Sequence, residues 1–79
     1  MTPEEFDRAA TLTVGQLSRL AGIADNRTTL RLLRAGGVRV LRVGRRHVVE
    51  RLALHAALPG FYEALLARLT GREEVHPSN

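Results

Sequence analysis

The chain contains no cysteine. That absence excludes disulfides and thiolate zinc sites and fits a reducing, cytoplasmic setting. No apolar run approaches the roughly 18 residues of a membrane-spanning helix, and the opening MTPEEFDRAA is acidic and polar where a secretion signal is basic and then apolar. The expectation is a cytoplasmic protein with no membrane partner. Lysine is missing as well, so all 12 cationic side chains are arginine. The planar guanidinium fork suits phosphates and guanine edges better than a point charge does. Codon usage in a GC-rich genome also replaces lysine by arginine, but it does so everywhere. Here the charge is concentrated: residues 19–51 hold nine arginines against Asp25 and Glu50, a local +7, while residues 1–18 sum to −2 and residues 52–79 to −1.

The usual marks of an enzyme are also missing. His47, His55 and His76 have no metal-ligand spacing with one another or with the carboxylates, so no metal site is expected. Ser18 and Ser78 have no base beside them in sequence, and no glycine-rich stretch has the layout of a phosphate or dinucleotide loop. Glu4, Glu5, Glu73 and Glu74 read as solvated charges of a helix start and a tail. The expectation is a protein that is not an enzyme and has no cofactor.

What is present is the punctuation of a small domain. At 79 residues the chain buries only about 60 to 65% of its unfolded surface, so its core is thin. Thr2, Pro3 and Glu5 make a helix start, and Thr13 and Gln16 make a capping box before Val14, Leu17, Leu20 and Ala21 at helical spacing. Gly22 ends that helix. Asp25 then caps TTLRLLRA, which runs to the Gly36 and Gly37 stop. Two helices joined by G-I-A-D have the layout of a helix-turn-helix, with Ile23 filling the angle between them. Residues 38–43 read as a strand, Gly44-Arg45 as the centre of a type II′ turn, and residues 46–49 as the returning strand. Leu41, Val43 and Val49 are expected to anchor this hairpin to the core. ERLALHAAL is helical with Leu54 and Leu58 one turn apart, Pro59-Gly60 breaks it, and FYEALLARL follows as an amphipathic helix. The tail TGREEVHPSN is polar and loose.

LTVGQLSRLAGI, TTLRLLRAG, VLRVGRRHVV and RLALHAAL, taken in this order, resemble the small winged helix-turn-helix domains of phage excisionases and MerR-like regulators. The likeness covers residues 12–58, about three fifths of the chain. The chain departs from that pattern in a turn one residue longer, and in carrying His47 and Ala57 where the family tends to have bulky aromatics. The FYEALLARL helix lies beyond the minimal domain and is placed to compensate by packing on it. The expected fold is mainly α with a small β-hairpin, an α+β winged helix-turn-helix. Residues 1–11 form an N-terminal arm or short helix, 12–58 the domain, 59–70 a C-terminal helix and 71–79 a flexible tail.

The resemblance implies sequence-specific binding of double-stranded DNA, as an excisionase-like factor that bends DNA in recombination or as a small transcriptional regulator. In that layout the second helix lies in the major groove. Thr29, Leu32 and Leu33 are then expected inward, and Asn26, Arg27, Leu30, Arg31 and Arg34 outward. One or both of Arg27 and Arg31 are expected to fork onto guanine, with Asn26 and Thr28 on adenine, thymine or phosphate. Arg45 and Arg46 reach the adjacent minor groove or its phosphates, Arg39 and Arg42 follow the backbone, and His47 is a packing or phosphate-contact residue. A recombinase or RNA polymerase is the implied protein partner, with several copies of the chain on one DNA. The alternative is an adaptor or antitoxin-like interaction or dimerisation module, acting through Phe61, Leu65, Leu66 and Leu69 of the last helix.

Overall fold

The computed structural model describes residues 1–71. The expected loose tail, with Glu73, Glu74, His76 and Ser78, therefore lies outside the described residues from position 72 on. The described chain is α+β: helices α1 (Pro3–Arg8), α2 (Val14–Ala21), α3 (Asn26–Ala35), α4 (Arg51–Ala57) and α5 (Pro59–Thr70), and strands β1 (Thr11–Thr13), β2 (Leu41–Val43) and β3 (Arg46–Glu50). The strands form one antiparallel sheet in the order β1-β3-β2.

The helix starts follow the caps in the sequence. Glu5 N–H donates to Thr2 Oγ1 at 3.1 Å while Thr2 N–H donates to Glu5 Oε1 at 2.8 Å, and Thr13 with Gln16 repeats this reciprocal pair at 3.0 and 2.9 Å. The stops of α2 and α3 share one geometry. Ile23 N–H bonds Ser18 O at 2.8 Å and Val38 N–H bonds Leu33 O at 2.9 Å, each closing a helix end behind a glycine with positive φ. This shortens the first strand of the hairpin. Val38 was expected in a strand running from 38 to 43, but its N–H belongs to the stop of α3, so ladder pairing begins only at Leu41.

Val43 pairs with Arg46 across a two-residue turn. Gly44 has φ +64 and no non-glycine residue among the described residues has positive φ, which is the signature of a type II′ turn and not of type I′. The core side of the hairpin differs from the expected one. Leu41 lies opposite Val48, which sets Val49 on the inner face with Leu12 of β1, its ladder partner; Val40 packs there too. Val43 is on the outer face and 62% exposed. A one-residue alternation decides this, and the expected anchor set mixed the two faces.

The strand β1 was not expected at all. Three residues are too few for a periodic pattern, and β1 exists because Thr11, Leu12 and Thr13 pair with Glu50, Val49 and Val48. The core takes Phe6, Leu12, Val14, Leu17, Leu33, Val38, Val49, Leu54, Tyr62 and Leu65, drawn from every element except β2.

The last helix closes the core. Pro59 does more than end α4: it occupies the first turn of α5, which packs on α1, α2 and α4. Tyr62 and Leu65 are fully buried, and Phe61, Leu66 and Leu69 lie half-buried against the core. The Phe6 and Tyr62 rings sit 5.0 Å apart, and Arg68 Nε donates to Leu20 O at the end of α2. Gly36 makes a close approach possible, since a Cβ there would meet the Leu58 side chain at 2.6 Å.

Candidate nucleic-acid interface

Helix α3 is set by its cap and by one buried polar pair. Asp25 Oδ1 accepts from Arg27 N–H at 3.0 Å, while Thr28 gives its hydroxyl to Asp25 Oδ2 at 3.4 Å. Ser18 Oγ of α2 donates to Thr29 Oγ1 at 2.7 Å, and both side chains are buried. Ser18 is therefore an interior packing residue. The pair fixes the rotation of α3 against α2, with Thr29 and Leu33 inward. Leu32, expected inward, is 36% exposed, and Leu30, expected outward, is half-buried against the core. The facing line runs through Thr29, Leu30 and Leu33, because the hydroxyl pair draws Thr29 to the centre of the contact. Asn26, Arg27, Thr28, Arg31 and Arg34 remain exposed.

The hairpin brings a second set of cations to the first turn of this helix. Arg45, Arg46 and His47 line an open cleft of about 560 Å³ together with Asn26, Arg27 and Leu30 of α3 and the start of α2 at Thr13, Val14, Gly15 and Gln16. Arg19, one turn further along α2, completes the wall. Residues 20 positions apart in sequence thus share one concavity. A shallower hollow of about 450 Å³ runs along α3 between Arg27, Leu30, Arg31, Arg34 and Ala35. Arg27 and Leu30 form the ridge between the two. Arg42 lies outside both, with Nε donating to Gly44 O at 3.2 Å, so its side chain is folded back on its own turn. Arg39 is exposed on the segment leading into β2.

The electrostatics of this face are one-sided. None of the eight arginines between positions 19 and 46 comes within ion-pair distance of a carboxylate among the described residues. Elsewhere among the described residues, Asp7 lies 3.7 Å from Arg51 and Glu63 lies 3.9 Å from the His55 ring, on α1, α4 and α5. The first turn of α2, with its neutral Thr13 cap, borders the cleft and adds the positive end of a backbone dipole, whereas that of α3 is offset by the Asp25 carboxylate. Such a surface attracts polyanions and repels cations.

Sequence reasoning placed Arg27, Arg45 and Arg46 in one region, and the structure brings them together with Asn26 and His47. It sets Arg31 and Arg34 in the neighbouring hollow. Arg19 and the Thr13 to Gln16 turn were missed as parts of the site. The available signal was the i, i+4 spacing of Gly15 and Arg19, which puts both on one face of α2 at its capped end. Phe61, Leu65, Leu66 and Leu69, the residues of the interaction reading, lie in or against the core.

His55 stacks on Tyr62, with ring centroids 4.3 Å apart, and takes no part in the cleft. Among the described residues no group of three histidine, cysteine, aspartate or glutamate side chains could hold a metal ion, and no helix is long and apolar enough to cross a membrane. Comparison with protein families, curated proteins and solved structures gives no match to this chain.

Proposed function

We propose that this chain is a sequence-specific double-stranded DNA-binding protein with a winged helix-turn-helix architecture like that of the phage excisionases and MerR-like regulators. Helices α2 and α3 form the helix-turn-helix and the β2-β3 hairpin is the wing. The observation that carries the reading is the convergence of Arg27 from α3 with Arg45 and Arg46 from the hairpin tip on one cleft free of carboxylate partners. Helix α3 enters the major groove from its capped end, and the hairpin tip meets the adjacent minor groove or its phosphates. Arg31 and Arg34, which line the hollow along the exposed side of α3, would meet base edges in this reading.

Two uses follow from the same contacts. Bound to adjacent repeats and bending them, the protein would steer a recombinase; bound at a promoter, it would occlude or reshape the site for RNA polymerase. The alternative, an interaction module acting through α5, is less well supported, because the apolar stripe of that helix is already covered by the chain's own core. Binding to duplex DNA measured between about 50 and 200 mM salt tests the reading: log affinity should fall linearly with log salt with a slope of magnitude about 4 to 7. A nearly flat dependence would refute it.

A further inference from the structure

Arg19 stands on the helix that a helix-turn-helix uses as scaffold, yet it is exposed and lines the same cleft as the hairpin tip. Nothing in the body of the protein accounts for it. It makes no ion pair and no side-chain hydrogen bond among the described residues, whereas Arg51 and Arg68, of the same type, are both tied to backbone carbonyls. A structural arginine would be expected to have such a partner. Charge repulsion also argues against an idle role, because Arg27, Arg45 and Arg46 border the same cleft and a fourth guanidinium there disfavours the free protein.

We propose that the cleft grips the phosphate backbone of one DNA strand from two elements, with Arg19 of α2 as a positioning contact beside Arg45 and Arg46 of the hairpin tip, while base reading is left to Arg31, Arg34 and the ridge residue Arg27. This rests on the DNA-binding reading above. The two hollows separate the roles. Of these two, Arg19, Arg45 and Arg46 border the cleft and not the hollow along α3, Arg31 and Arg34 border the hollow and not the cleft, and Arg27 lines both. The cleft also suits a phosphodiester better than a base edge. Its lining includes the first turn of α2, where Gly15 carries no side chain to cover the backbone, and four guanidinium groups with no carboxylate among them.

The test compares Arg19→Ala, Arg19→Lys and Arg31→Ala on a pool of duplexes of varied sequence, with affinity and salt slope measured for each. Arg19→Ala should bind every duplex about eightfold more weakly at 0.1 M salt and lower the magnitude of the salt slope by about 0.9, the share of one phosphate, with the rank order of sequences unchanged. Arg19→Lys should restore most of the loss, since an ammonium serves a phosphate as a point charge. Arg31→Ala should instead change the rank order. The proposal is overturned if Arg19→Ala leaves both affinity and slope as they were, or if it alters which sequences bind best. A flat salt slope in the unaltered protein would instead refute DNA binding itself, which keeps the two failures distinct. Arg19 is exposed, and an unchanged unfolding midpoint in Arg19→Ala shows that any loss belongs to the contact.

Discussion

Arg51 and Arg27 are the same side chain in two unlike settings. Where α1, α4 and α5 meet, Arg51 has its side chain only 18% exposed; Nε donates to Ala9 O at 2.9 Å, Nη1 donates to Tyr62 Oη at 2.9 Å, and Asp7 lies 3.7 Å away. Tyr62 in turn gives its hydroxyl to Asp7 at 3.1 Å. Each polar group of that corner has a partner. At the cleft, Arg27, Arg45 and Arg46 are exposed, line one concavity and have no carboxylate within ion-pair distance of their guanidinium groups among the described residues. The difference teaches that the count of arginines carries little functional information. Whether the fold supplies their counter-charge carries much more, because an unpaired cationic cleft is costly to keep unless something outside the chain neutralises it.

The largest effect that can break this comparison is on the structural side. Leu65→Asp places a charge among Phe6, Tyr62 and Leu17 in the core and should unfold the chain, costing more than about 4 kcal/mol. A folded monomer recovered from a dissociated oligomer, seen by ultracentrifugation and circular dichroism, would instead return α5 to the interaction reading. Next comes Arg51→Ala, which leaves the Ala9 carbonyl without a partner and removes one bond from Tyr62. It should lower stability in chemical denaturation by about 1 to 3 kcal/mol while leaving the salt slope of DNA binding unaltered. A reduced slope would mean that the paired corner also contacts DNA and that the two regions are not distinct.

Within the basic face the effects are smaller and differ in kind. Arg31→Ala should weaken the preferred duplex by roughly 1 to 3 kcal/mol and relax selectivity at one base pair. Arg45→Ala should weaken all duplexes alike, by about 1.2 kcal/mol, the loss of a single phosphate contact at 0.1 M salt. A selection of bound fragments from random DNA, repeated with each variant, separates the two patterns.

How much of this could be read in the sequence depended on range. Signals that act within four residues were legible: the Thr2-Glu5 and Thr13-Gln16 boxes, the Asp25 cap, the Gly22 stop and the Gly44 turn all formed as their chemistry dictates. Signals that depend on what packs against a segment were not. Leu12 becomes a strand residue only because Val49 lies beside it, and the hairpin's inner face is decided by that same pairing. The rotation of α3 hangs on the Ser18 and Thr29 hydroxyls, 11 positions apart. Arg51 counted toward the basic middle third, yet its partners on α1 and α5 make it part of the scaffold. Arg19 shows the converse, since a residue of the supporting helix borders the cleft once α2 is docked under the hairpin.

The central claim is that the unpaired arginines of the cleft and of the neighbouring hollow, and not the chain's charge as a whole, engage DNA. Arg27→Ala, Arg45→Ala and Arg46→Ala combined in one chain provide the most direct measurement, as the slope of log affinity against log salt beside that of the unaltered protein. The slope should fall in magnitude by about 2.7, roughly 0.9 for each phosphate contact removed, with the unfolding midpoint preserved. An unchanged slope in a folded triple variant would contradict the account.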